Sequence, residues 1–318
     1  NRMEAEAISL KIKEADFVVT DVDFYACKER SEYLFARRNI TSHTEIGWLL
    51  KAVSFIDLTT LAGDDTPVNV ARLVMKAANP ISKELLYALG VEELECAAVC
   101  VYPSQVPNVV QVNQTLGKNL LVASVATGFP TGQTYLPLRL DEIRMAVHAG
   151  ADEVDVVVNR QLILEGKFKE FYDEICLMKK ACGDAKLKVI MAVGEIGSFT
   201  NIYNACMWAM KAGANFIKTS TGKEVVNATY PIGIVMMRAI RNFYQLTGVK
   251  VGFKPAGGIK SSGDILKWCF LVKEELGNDW LRPEMFRIGA SSVLSNIEER
   301  LYSLVNNTFC SQLEICST

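Results

Sequence analysis

Residues 215–224 read NFIKTSTGKE. Phe216 and Ile217 open a short apolar run, Lys218 follows it, and a second lysine, Lys223, stands after four small or polar residues. Lysine is among the residues least often fully buried. A lysine at the end of what reads as a buried strand therefore asks for a reason, and the reason depends on the fold around it.

Working outward, the run NFIKTS (215–220) is one of eight of its kind. The others are VSFIDLT (53–59), AAVCVY (97–102), LLVASVA (120–126), EVDVVV (153–158), LKVIMAV (187–193), VGFKPAG (251–257) and MFRIGAS (285–291). Between them the apolar period switches to that of a helix. Phe171, Ile175, Met178 and Cys182 share one helix face, as do Ile202, Cys206, Ala209 and Met210. Start signals agree: Thr66 precedes Pro67, and SSGD (261–264) has the form of a capping box. HAG (148–150) and KAG (211–213) end helices on glycine. Eight strands, each followed by a helix, over about 250 residues predict an α/β fold, the (β/α)8 TIM barrel. An open doubly wound sheet would place a glycine-rich fingerprint after its first strand, and IDLTTLAG is not one. The division expected is a helical N-terminal extension over residues 1–50, packed on a barrel over 51–305, with a tail over 306–318.

Side chains alternate across a strand. Lys218 shares a face with Phe216, Lys254 opposes Phe253, and Asp155 opposes Val154 and Val156. Asp57 and Thr59 share a face, and Cys100 opposes Val99 and Val101. The helix-facing side of a barrel strand is apolar, so Asp57, Thr59, Cys100, Asp155, Lys218 and Lys254 are expected to point inward. All come late in their strands, at the C-terminal mouth where barrel enzymes keep their chemistry. A structural salt bridge between Asp155 and one lysine is the plain alternative. The second lysine shifts the balance, because strands six and seven are neighbours about 4.8 Å apart. Two ammonium groups that close repel, which lowers the pKa of at least one. A neutral lysine attacks carbonyls and forms a Schiff base, and a nearby carboxylate can move the protons. Alternation does not say which lysine is the nucleophile.

AGG (256–258) follows strand seven, and IGASS (288–292) follows strand eight. Those two loops are the recurrent phosphate seat of barrels. Either could be ordinary turn chemistry alone; together they favour phosphate, and Lys223 in STGK could add charge. STGK is not a Walker A motif, since Lys223 is followed by Glu224.

The totals narrow the remaining classes. The formal net charge is −2, which gives no overall pull toward nucleic acid or an anionic membrane. The nine cysteines include no C-x-x-C and read as reduced thiols. His43 and His148 are the only histidines, so no zinc motif is present and no metal or other cofactor is expected. No apolar run is long enough to span a bilayer. Glu4, Glu6, Glu14 and Asp16 are unlike a presequence, and a cytosolic location is expected. Barrels often pair through helix faces, so a homo-oligomer remains an open expectation. Trp208 and Trp268 read as core, His148 as the end of a helix, and KEE (273–275) as a solvated helix face.

FIDLTTL, AAVCVYP, ADEVDVVVN, FIKTSTGK, GFKPAGGI and FRIGASS together resemble the deoxyribose-phosphate aldolases of the longer animal type. The match runs from about Ser54 to about Ser292. The resemblance implies a metal-independent class I aldolase that reversibly cleaves 2-deoxy-D-ribose 5-phosphate to D-glyceraldehyde 3-phosphate and acetaldehyde. It implies that Lys218 is the Schiff-base nucleophile, that Lys254 tunes it and that Asp155 shuttles protons. Asp57, Thr59 and Cys100 match pocket-lining positions, and Lys223, Gly257, Gly258, Ser291 and Ser292 match substrate or phosphate contacts. Two departures stand out. The family's TGEL is VGEI (193–196) here, so Val193 lacks a pocket hydroxyl and a small change in polarity is expected. Some bacterial members end in a tyrosine that reaches the site, whereas this chain ends EICST with Tyr302 as its last tyrosine. A barrel aldolase acting on a ketose phosphate, or a non-catalytic binder of sugar phosphates, are the competing readings.

Overall fold

The structure is a computed structural model that describes residue 19, residues 21–37 and residues 42–310. The acidic N-terminal residues and the end of the tail lie outside the described residues. Eight parallel strands form one sheet: β1 (Ile56–Thr59), β2 (Ala98–Val101), β3 (Leu121–Ala126), β4 (Glu153–Val157), β5 (Lys186–Ile190), β6 (Phe216–Lys218), β7 (Gly252–Lys254) and β8 (Ile288–Ala290). The order is β7-β6-β5-β4-β3-β2-β1-β8. Phe253 N donates to Met285 O and Arg287 N to Phe253 O, at 2.9 and 3.0 Å, and these bonds join the two outer edges into a (β/α)8 barrel. All eight expected strands are present. The first is shorter than its apolar run, because Val53 ends the preceding helix.

The helices carry the start and stop chemistry that the sequence announces. Thr66 caps α3 (Pro67–Ala78) by accepting from Asn69 N. Ser261 and Asp264 form a reciprocal capping box at the head of α11 (Ser262–Leu276). The main barrel helices between these are α5 (Val106–Leu116), α6 (Leu136–His148), α8 (Phe168–Cys182), α9 (Phe199–Lys211) and α10 (Tyr230–Thr247), with short α4 (Lys83–Ala88) and α7 (Arg160–Leu164). The last helix, α12 (Val293–Asn306), follows β8. Gly150 and Gly213 take φ of +108° and +96°, as helix ends that require a left-handed residue do.

Among the described residues, two helices precede the barrel, α1 (Phe24–Ala36) and α2 (Ser42–Val53). α1 packs on α10 and α2 on α11 and α12. The KEE run corrects one reading of the sequence. Glu275 is buried, and Arg30 of α1 with Arg238 and Arg241 of α10 surround its carboxylate at 2.9, 3.9 and 3.5 Å. Three guanidinium groups compensate the desolvation that would otherwise exclude a carboxylate from such a place.

The strands sort their side chains into two environments. Ile56, Leu58, Val99, Val101, Val154, Val156, Leu187, Val189, Ile217 and Phe253 join the apolar layer under the helices. Trp208 and Trp268 are buried in that layer, as expected. A separate small cluster of Ala98, Cys100, Ala123 and Val125 comes from β2 and β3. The alternate residues of β1 and β4 to β7, together with Arg287 just ahead of β8, carry charge instead. Phe216 shares that interior, and a Cβ on Gly252 would lie 2.3 Å from its ring. Glycine at 252 is therefore what admits Phe216 to the interior.

Candidate active site

Lys218 and Lys254 end β6 and β7 and are direct register partners. Both Nζ atoms donate to Asp155 Oδ2, at 2.8 Å from Lys218 and 2.7 Å from Lys254. Lys254 Nζ also donates to Asp57 Oδ2. The strand alternation read from the sequence thus brings Asp57, Asp155, Lys218 and Lys254 into one contact group. Lys218 keeps 3% of its surface exposed, whereas Lys254, Asp57 and Asp155 keep none.

Beneath them lies a charged floor that the sequence reading did not single out. Lys188 of β5 pairs with Glu153, and its Nζ lies 3.2 Å from both Asp57 Oδ2 and Asp155 Oδ1. Arg287 donates to Asp57 Oδ1 at 2.7 Å and grips both oxygens of Glu153 at 3.0 and 2.9 Å. Glu153, Lys188 and Arg287 are as buried as the four residues above them. Alternation does mark them: Glu153 has the parity of Asp155, Lys188 opposes Leu187 and Val189, and Arg287 opposes Phe286 and Ile288.

The group contains three carboxylates, Asp57, Glu153 and Asp155, and four cations, Lys188, Lys218, Lys254 and Arg287. The partly exposed Lys186 adds a fifth cation, its Nζ 3.7 Å from Glu153 Oε1. Burial acts first on Lys218 and pushes its pKa down, and Lys254 pushes the same way, so the net direction is down despite Asp155. Burial opposes charge on Lys254 too, but Asp155 and Asp57 together override it and drive its pKa up. Burial alone would raise the carboxylates. The surrounding Lys188, Lys254 and Arg287 hold Asp57 low, and Lys188, Lys218 and Lys254 hold Asp155 low. The expectation that one of two adjacent lysines is depressed is met, and Lys218 is the one. Asp155 Oδ1 accepts no hydrogen bond among the described residues; Lys188 Nζ faces it only as an ion-pair partner.

The remaining predicted residues surround this centre. Thr59 is half-buried, and its hydroxyl donates to Asp57 O at 2.7 Å. Cys100 is fully buried, and burial raises its thiol pKa, so it sits there as a neutral small group. Tyr102 and Phe129 close the apolar side of the interior, with their rings 5.8 Å apart, edge to face. Val193 is buried and belongs to the apolar core.

Gly257 and Gly258 both have positive φ, +84° and +82°. A Cβ on Gly257 would also lie 2.7 Å from Asn227, so that loop backbone needs glycine twice over. Ser291 and Ser292 are exposed at the head of α12, and the Ser292 side chain makes no capping bond. Lys223 is exposed and lines a mouth cavity of about 280 Å³ with Arg160, Glu195, Thr221 and Glu224. A larger groove of about 820 Å³ opens at the opposite face, between the C-terminal ends of α6 and α8, and is lined by none of the predicted residues.

Comparison with known proteins agrees with this geometry. Residues 51–272 match the family model described as DeoC/LacD family aldolase. The chain is 56% identical over 290 residues to the human deoxyribose-phosphate aldolase, covering 91% of each chain. Among solved structures, a putative deoxyribose-phosphate aldolase from Toxoplasma gondii superposes with a TM-score of 0.69 at 20% identity, over 85% of this chain and 98% of that one. The deoxyribose phosphate aldolase of Aeropyrum pernix, described as a unique tetramer, gives 0.59 at 24% identity, over 83% of this chain and 100% of that one. The two superpositions speak for the shared barrel, and the sequence matches speak for the family. The chain belongs to the DeoC/LacD family of aldolases.

Proposed function

We propose that this chain is a class I aldolase that cleaves 2-deoxy-D-ribose 5-phosphate to D-glyceraldehyde 3-phosphate and acetaldehyde, and runs the reverse condensation. The observation that carries the reading is the shared contact of Lys218 and Lys254 on Asp155, with only Lys218 of the three retaining any exposed surface.

Lys218 is the nucleophile. Its neutral amine attacks C1 of the open-chain sugar, and the carbinolamine loses water to give an iminium. Asp155 carries the protons of these steps through Oδ2, the oxygen that touches Lys218 Nζ. Loss of the C3 hydroxyl proton then breaks the C2–C3 bond, and its electron pair moves into the iminium to leave an enamine. Glyceraldehyde 3-phosphate departs. Protonation of the enamine at C2 and hydrolysis release acetaldehyde and return Lys218.

Lys254 supplies the second role. Held charged by Asp57 and Asp155, it disfavours a proton on Lys218 and keeps Asp155 ionised between turnovers. Asp57 and Thr59 line the base of the pocket and Cys100 its apolar side. Gly257, Gly258, Ser291 and Ser292 offer backbone N–H groups and hydroxyls to the phosphate, and Lys223 adds a cation.

Acetaldehyde release from 2-deoxyribose 5-phosphate, with a ketose bisphosphate as control, tests the reading. Release from the deoxy sugar alone is expected. Cleavage of the ketose alone would assign a different aldolase, and tight binding without cleavage would assign a sugar-phosphate binder.

A further inference from the structure

Arg160 has no part in the chemistry described above, yet it is among the most heavily engaged side chains at the mouth. It opens α7, immediately after β4. Its NH1 donates to Thr131 O at 2.6 Å and its NH2 to Pro130 O at 3.1 Å, both in the loop after β3. Its Nε lies 2.5 Å from Glu195 Oε2, in the loop after β5, as an ion pair without hydrogen-bond geometry. Its NH2 lies 3.6 Å from Glu224 Oε1, in the loop after β6. One planar guanidinium therefore joins four consecutive strand–helix loops, a task for which its five fixed donors suit it and a lysine would not.

Glu224 passes the constraint on. Its side chain is 2% exposed. Both of its oxygens accept from Thr221 N at 3.0 Å, and Oε2 also accepts from Gly222 N at 3.2 Å. The carboxylate thus holds the turn TGK from inside, and Lys223 N donates to Thr221 Oγ1 at 3.1 Å to complete it. The same segment leans on the phosphate seat. Asn227 Nδ2 donates to Glu224 O at 2.8 Å, and Asn227 is the side chain that forbids a Cβ on Gly257. Contacts thus run from Arg160 through Glu224 to Lys223 on one side and to Gly257 on the other.

We propose that Arg160 and Glu224 are positioning residues that set the loop after β6 and, through it, place Lys223 against the phosphate of the substrate. The proposal rests on the assignment of Lys223 as a phosphate contact. It predicts a defect in phosphate recognition rather than in the amine chemistry. Lys218 lies on the strand before the loop and is held by Asp155, not by Glu224.

The test is a double-mutant cycle between Arg160→Gln and Lys223→Met, read as KM and kcat with 2-deoxyribose 5-phosphate and with unphosphorylated 2-deoxyribose. Arg160→Gln should raise KM for the phosphorylated sugar by roughly tenfold with a smaller change in kcat. Borohydride trapping of acetaldehyde on Lys218 should survive. Added to Lys223→Met, the Arg160 change should cost little more, since residues acting through one contact are not additive. Arg160→Lys should not rescue, because an ammonium cannot span four loops. If Arg160→Gln proves unstable, Glu224→Gln interrupts the same route at its second link. Additive effects, or an equal loss with both sugars, would overturn the clamp alone. A Lys223→Met enzyme that keeps its preference for the phosphorylated sugar would overturn the phosphate assignment and the clamp's route together.

Discussion

Lys218 and Lys254 are register partners on adjacent strands, and both donate to a single oxygen, Asp155 Oδ2. Their different fates follow from what else each touches. Lys254 has a second carboxylate, Asp57, and Lys218 does not. Burial, with Lys254 beside it, therefore lowers the pKa of Lys218, while Asp155 and Asp57 raise that of Lys254.

Removing Lys254 should move the pH dependence of the other lysine. Lys254 pushes the Lys218 pKa down. In Lys254→Met that push is gone, so the rising limb of the pH–rate profile should shift upward, and part of the lost rate should return on raising the pH. Measuring Schiff-base formation with acetaldehyde across the pH range checks it. An unshifted limb with a uniformly lower rate would mean that Lys254 acts only as an acid or base.

The floor should matter for stability more than for chemistry. Lys188→Met leaves Glu153 without one buried cation and weakens the field on Asp57 and Asp155. Breaking a buried pair by removing one partner costs roughly 3–5 kcal/mol. The urea midpoint should fall accordingly, and any residual turnover should still pass through Lys218.

Acid should undo the same cluster. Asp57 and Asp155 have folded pKa values below their unfolded value of about 3.9. As pH falls, the unfolded chain takes up these protons first, so their contribution to stability is complete above that value and is lost below it. Denaturant midpoints taken from pH 7 downward should fall most steeply below about pH 4. A flat profile there would mean that the carboxylates are not held ionised.

Gly257→Ala separates phosphate binding from the amine step. Alanine at φ +84° costs roughly 1–2 kcal/mol, and its Cβ collides with Asn227. KM for 2-deoxyribose 5-phosphate should rise by at least about tenfold, with a smaller change for the unphosphorylated sugar. Equal losses for both sugars would place the glycine outside the phosphate seat.

Much of this site could be read from alternation alone. Eight apolar runs gave the barrel, and the charged residues of inward parity in four of them gave four members of the charged cluster. Alternation reports a face and not a depth. Glu153 and Arg287 stand at or before the start of their strands, away from the mouth, and Lys188 is hidden in the apolar LKVIMAV. Their charge is tolerated only because seven buried ionic groups, six of them from five strands and Arg287 from just ahead of β8, meet in the barrel interior. Arg160 and Glu224 were less legible still, since nothing local links a loop arginine to a loop glutamate 64 positions later. Glu275 misleads for the opposite reason. Its helix pattern reads as solvated, and the arginines that bury it come from α1 and α10.

The assignment of the nucleophile has the most direct test. The enzyme is reduced with borohydride in the presence of 2-deoxyribose 5-phosphate, and the adduct is mapped by peptide mass. The account predicts one stable adduct, on Lys218, and its loss together with turnover in a folded Lys218→Arg variant. An adduct on Lys254, or near-normal turnover in Lys218→Arg, would contradict it.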